Sequence, residues 1–247
     1  MIPIRDHNPS GRTPYVVYAL MAANILVFLS YVGVMDDARL INRIFFDYAV
    51  IPARISDGYG FETLFTSMFL HAGWKHLAGN MLFLWIFGDN LEDEFGHLPF
   101  LLFYLACGIG AGLIHVITAP GSIVPTIGAS GAIAGVMGGY MLLFPKARVD
   151  ILIILVVFIR IFSIPAFAML GVWIGFQLLA SFASNPDEGG VAYWAHTGGF
   201  FVGLIFCIPL WLKRGGVQYW DRTHGHPPHP EHQYKFAPSR IPRIPRK

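Results

Sequence analysis

Six apolar runs of about twenty residues, at 14–33, 64–87, 99–118, 129–144, 165–183 and 195–213, constrain this chain more than any other feature. Such a run matches the hydrocarbon thickness of a bilayer. In that solvent every backbone N–H and C=O must be satisfied internally, so runs of this length are read as helices. Of the 247 residues, 55% are hydrophobic and 13% charged, where a soluble domain carries roughly a quarter. The expected class is all-α: a polytopic membrane protein with a six-helix bundle over 14–213. A short segment, 1–13, precedes it, and a basic, Pro/His-rich tail, 214–247, follows.

The stretch 149–164 is also apolar and leads straight into the fifth run. Joined, the two would form a helix of roughly 50 Å at 1.5 Å per residue, far longer than a bilayer is thick. Arg160 and Pro165 interrupt it, and proline suits a helix start. This stretch is expected to be an interfacial, β-rich hairpin. Cys107 and Cys207 both fall inside apolar runs, which argues against a disulfide framework. The first run spans a bilayer and lacks a small-residue cleavage pattern, so it reads as a retained helix.

Lys and Arg near the span ends set the expected orientation. Arg5, Arg12, Lys146, Arg148, Arg160, Lys213, Arg214 and the tail share one side, against Arg39, Arg43, Arg54 and Lys75 on the other. Both termini are therefore expected in the cytoplasm of a cell with this chain in its plasma membrane. The acidic loop 88–98 weighs little in that rule. The tail, with His224, His226, His229 and His232, has the composition of a disordered segment. It suits anionic lipid better than a metal.

With that orientation, spans two, four and six all begin at the outer face. Ser130 and His196 lie in the first turns of their spans, and His76 and Asn80 lie deeper in the longer second span. His76 and Asn80 are four residues apart and share a helix face, whereas His71 falls roughly 140° from His76. Span four covers only about 22 Å from Ser130 to Phe144, so its start lies below the outer surface with the loop 119–129 dipping behind it. Irregular backbone at that depth needs protein cover or water. Gly131, Gly135 and Gly139 of span four and Gly199 and Gly203 of span six form small-residue stripes that let two helices approach closely. Packing through them would carry His196 towards Ser130.

Polar side chains at membrane depth are costly and mark working sites. A serine hydroxyl needs a base within hydrogen-bond reach, and no Asp or Glu falls within the six spans. The expected machinery is a Ser130–His196 dyad. His76, Asn80 and the Ser130 backbone N–H at a helix start are the candidate oxyanion donors. Gly128-Ala129-Ser130-Gly131 is not the elbow of soluble α/β-hydrolases. Each residue alone has a bland reading: Ser130 as a packing residue, Asn80 as interhelical glue, His196 bonded to a carbonyl, His71 structural, His115 interfacial. The combination at matching depth carries the functional reading.

The run from His71 through His76 to Asn80, then Gly128 to Gly131, then His196 with Gly199 and Gly203, resembles the rhomboid family of intramembrane serine proteases. The resemblance covers roughly residues 14–213. It implies Ser130 as nucleophile, His196 as base, and His76 with Asn80 in the oxyanion hole. It also implies membrane-spanning protein substrates, cut near a small residue where their helix unwinds easily, and movement around spans two and five to admit them. No cofactor, metal or nucleic acid is implied. Two departures stand out: Ala134 replaces a tyrosine that packs on the catalytic histidine in some members, and 34–62 lacks their Trp-Arg pair. Two other classes compete with this reading. An inactive rhomboid-like binding protein would lack the serine or the histidine. A histidine-relay transporter would carry acidic partners or inverted repeats within the spans, and the chain has neither.

Overall fold

A computed structural model describes residues 2–155, 158–228 and 230. In chain order, strand β1 (Ile2–Asp6) precedes the first long helix, α1 (Tyr15–Tyr31). Three shorter helices follow, α2 (Ala38–Tyr48), α3 (Pro52–Ser56) and α4 (Thr63–Thr66), then α5 (Trp74–Phe95), α6 (His97–Thr118) and α7 (Ser130–Leu143). Strands β2 (Arg148–Leu155) and β3 (Phe158–Pro165) lead into α8 (Ala166–Ala183), α9 (Tyr193–Lys213) and α10 (Val217–Thr223).

Helices α1, α5, α6, α7, α8 and α9 occupy the six apolar runs and make a helical membrane bundle. Among the described residues four stretches are long and apolar enough to cross a membrane: Tyr15–Val34, His97–Thr118, Ala166–Ala183 and Tyr193–Lys213. At 14 residues α7 is too short to do so alone, and it sits at the centre. Between Gly131 and Gly139 only buried residues occur along it. Its partner is α9. A β-carbon on Gly199 would run into the Gly131 carbonyl oxygen, and one on Gly203 into that of Gly135. Only glycine permits this backbone contact. At the next turn Gly138 meets the α9 backbone at the Phe200 carbonyl, while Gly139 lies against Leu91, Phe103 and Cys207 of α9.

The second span differs from its expected bounds. The apolar run covers 64–87 with an acidic loop expected over 88–98, but the long helix starts at Trp74 and runs to Phe95. Residues before it are taken up by α4, a 3₁₀ turn at Ser67–Phe69 and an irregular link. The acidic residues stay helical because each has a partner. The Glu92 carboxylate accepts from Val16 N–H (2.9 Å) and Val17 N–H (2.8 Å), capping α1, whose own N-cap, Pro14, has no side-chain acceptor. Asp93 accepts from Gly11 N–H at 2.7 Å, and Glu94 pairs with Arg214.

The segment 149–164 does form a hairpin, β2 with β3, but with a third strand the helical class did not include. β1 pairs antiparallel with β2, Ile2 opposite Leu152 and Asp6 opposite Val149. At its edge Asp150 holds Arg5 (2.6 Å), His7 (2.9 Å) and Ser163. The tail also begins with structure: α10 packs its aromatic face, Trp220 donating to the Leu142 carbonyl at 2.9 Å and stacking near Trp211. Aromatic anchoring overrides the polar composition there. His229 and His232 lie outside the described residues.

Candidate active site

Gly128 makes the turn into α7. Its φ of +125° suits glycine, and a β-carbon there would sit 2.8 Å from His76 Nε2, so the residue serves both conformation and approach. Its N–H donates to the Ser67 carbonyl at 2.9 Å. The loop before it is pinned by a two-way bridge between Val50 and Thr126 and by Ala53 N–H donating to Ser122. Ser130 is therefore the first residue of a helix starting inside the protein, where the first N–H groups have no intrahelical acceptor.

Across the glycine seam, His196 stands in the first turn of α9 with Nε2 2.8 Å from Ser130 Oγ. Both are partly accessible and line a cavity of about 670 Å³. His76 lines it too, from the first turn of α5. Ala72 N–H donates to His76 Nδ1 at 3.3 Å, so Nε2, the nitrogen facing Gly128, carries the proton and is a donor. Asn80, one turn on, is buried and lines the same cavity. One N–H of its amide donates to His71 Nε2 at 2.9 Å, and the second is left over.

Two histidines sit differently from their expected places. Helical spacing puts His71 on a face away from His76, but the residue precedes the helix, where that spacing does not apply. Its ring packs edge-on against His76 at 5.0 Å and touches Asn80. Tyr31 of α1 holds its backbone from both sides, donating to the His71 carbonyl (2.8 Å) and accepting from its N–H (2.6 Å). Its place near a span end makes His115 an expected interfacial residue. It is 6% exposed, lines the cavity, and meets Thr126 Oγ1 at 3.0 Å through Nε2.

The third group on the His196 ring was not foreseen. Gln177 Oε1 of α8 lies 2.9 Å from His196 Nδ1, and Trp173, one turn earlier, stacks on the imidazole at 6.1 Å and 29°. A glutamine in a span is a visible signal, but no motif ties it to a histidine 19 residues on. Lys75 is the one Asp, Glu, Lys or Arg among the described cavity-lining residues. Among the described residues no His, Cys, Asp or Glu cluster is arranged to hold a metal.

The sequence model of the rhomboid domain matches residues 60–213. Rhomboid protein 1, mitochondrial, of Saccharomyces cerevisiae is 29% identical over 77% of this chain and 52% of its own length. Rhomboid protease GluP of Bacillus subtilis is 32% identical over 62% of this chain and 27% of its own. The human presenilin-associated rhomboid-like protein, mitochondrial, is 27% identical over 85% and 54%. The chain thus spans about half, or less, of the curated relatives it matches.

Proposed function

The chain belongs to the rhomboid family, and from that premise we propose that it is an intramembrane serine endopeptidase acting on membrane-spanning proteins. The observation that carries this reading is the 2.8 Å contact between Ser130 Oγ and His196 Nε2 across two separate helices, opening into a cavity. Ser130 attacks the scissile carbonyl while His196 Nε2 takes its proton, then gives that proton to the leaving amine. Water from the cavity hydrolyses the acyl-enzyme by the same route in reverse. The tetrahedral oxygen lies among three neutral donors: His76 Nε2–H, the spare Asn80 N–H and the Ser130 backbone N–H. His71, Gly128, Gly131, Gly199 and Gly203 hold these groups in place. The substrate helix must unwind to offer a peptide bond at this depth, which favours small residues at the cut.

The basic residues gathered on one side of the bundle favour both termini in the cytoplasm, here of a cell with the chain in its plasma membrane. The dyad then faces the outer half of the bilayer, and lipid and substrate share the lateral surface.

A serine-directed fluorophosphonate on the protein reconstituted in liposomes, alongside a single-span test substrate, examines both parts. Labelling and cleavage should occur in the wild type and vanish in Ser130→Ala. The cut should map to the substrate end opposite the protein's termini. Labelling that survives in Ser130→Ala defeats the assignment, and a cut on the side of the termini inverts the depth.

A further inference from the structure

Helix α8 is the least enclosed of the long apolar segments. In its most apolar window 17% of residues are buried, against 28%, 44% and 39% in the other three. Phe167, Phe176, Leu179 and Phe182 point outward from it and are exposed. One stripe turns the other way. Trp173, Gln177 and Ser181, each four residues from the next, face α9. Trp173 stacks on His196, Gln177 Oε1 meets His196 Nδ1, and Ser181 Oγ lies 3.1 Å from Thr197 Oγ1. A long amide on so exposed a helix is costly unless it is partnered. Its partner is the base itself.

We propose that Gln177 is the positioning residue of the dyad, a reading that rests on the endopeptidase assignment above. A side-chain carbonyl oxygen can only accept, so a Gln177 Oε1 contact requires the proton on His196 Nδ1. Nε2 is then unprotonated where it faces Ser130, the tautomer a general base needs. Gln177 thereby does for orientation what a buried carboxylate does in other serine hydrolases. It does so without a charge that would need further partners at this depth. Trp173 limits rotation of the ring about the same contact. The tautomer and plane of His196 are therefore set from α8, not from the helices that carry the dyad.

The test compares full-length wild type with Gln177→Leu, which keeps bulk and removes the acceptor, and Gln177→Glu, which keeps the acceptor. Labelling rate, kcat and KM are measured from pH 5 to 9 in liposomes, and ¹⁵N shifts of His196 report its tautomer independently of turnover. Gln177→Leu should slow labelling and kcat by roughly 10–100-fold, the scale of a small misplacement, with KM little changed and a mixed tautomer. Gln177→Glu should keep the Nδ1–H form and lose activity at a higher pH than wild type on acidification, because a carboxylate stabilises the imidazolium. Wild-type rates and tautomer in Gln177→Leu overturn the proposal. So does a Gln177→Glu variant as slow as Gln177→Leu with an unmoved pH profile, which would mark a packing role only. An unlabelled wild type with Nδ1–H intact would instead defeat the endopeptidase reading and leave the orienting contact standing.

Discussion

The same helices build two ends of this bundle with opposite polar chemistry. α5 carries His76 and Asn80 in its first turns and Asn90 and Glu92 near its end; α7 opens with Ser130 and carries Tyr140 further along. At the Ser130 end the polar groups around the cavity are imidazoles, amides and hydroxyls, with Lys75 the one charged side chain among the described lining residues. At the other end carboxylates are locked to partners, Glu92 on the α1 N-terminus and His97, Asp150 on Arg5 and His7, and the Asp6 carboxyl is held by a hydrogen bond from Tyr140 at 2.7 Å. A buried charge is tolerable only when its partners are permanent, which uses up its hydrogen-bonding capacity. A neutral imidazole or amide can keep one site spare at modest cost. Chemistry at depth therefore falls to the neutral end and anchoring to the charged one. Substitutions at the first should change rates with the fold intact, and substitutions at the second should change stability with the dyad intact.

The sharpest way to break that division is at Asn80. Asn80→Ala should lower kcat by about 10²–10³, the usual cost of one oxyanion donor, while fluorophosphonate labelling shows the dyad still assembled. Thermal stability should move less than rate, because the lost contact is the single hydrogen bond to His71. A large fall in melting temperature with kcat preserved in the surviving fraction would make Asn80 interhelical glue and erase the contrast.

The neutral end was the more legible of the two, and the reason is local. Ser130 and its glycines, and His76 with Asn80, are read within one helix turn or a short motif, and helical periodicity converts spacing into facing. The break between 149–164 and the fifth span was legible from length with Arg160 and Pro165, since the two stretches could not share one bilayer-crossing helix. What escaped was non-local. β1 is five residues long and pairs with a strand about 145 positions away, which no pattern within Ile2–Asp6 announces. The acidic turns of α5 look like a loop until the α1 N-terminus, Gly11 and Arg214 are brought to them. Gln177 was visible as an expensive residue, but its target lies on another helix. His71 escapes the helical rule because it lies three residues before the helix begins.

A second test probes the charged end. Glu92 is 1% exposed and accepts two N–H groups of α1 as well as meeting His97 Nδ1 at 2.5 Å. Glu92→Ala removes a helix cap and strands buried donors, so it should destabilise the protein by about 1–3 kcal/mol. Labelling per folded molecule should stay at the wild-type rate. Loss of labelling at temperatures where circular dichroism shows the helices intact would tie the two ends together.

A third test lies at Asp6, where pH exposes the docking of β1. Desolvation pushes its carboxyl up to about 8, opposed by the hydrogen bond from Tyr140 and reinforced by the nearby Asp89. An unfolded or undocked aspartate titrates near 3.9. Between those values the docked strand binds a proton that the undocked one does not, so docking of β1 weakens steadily as pH rises through that window and levels off above it. Asp150, on the neighbouring strand, runs the other way. Burial pushes its carboxyl up, but hydrogen bonds from Ser163, His7 and Arg5 outweigh it and hold it low, so its contribution is lost only in acid. Hydrogen exchange at the β1 amides should accordingly quicken from pH 5 to 9, after correction for the intrinsic rate. In Asp6→Asn, which keeps an acceptor for Tyr140 without the titration, that corrected rate should stay flat. Equal pH dependence in both proteins would show that Asp6 is not the group that senses pH there. Slowed catalysis in Asp6→Asn at constant pH would show that the charged end reaches the dyad after all.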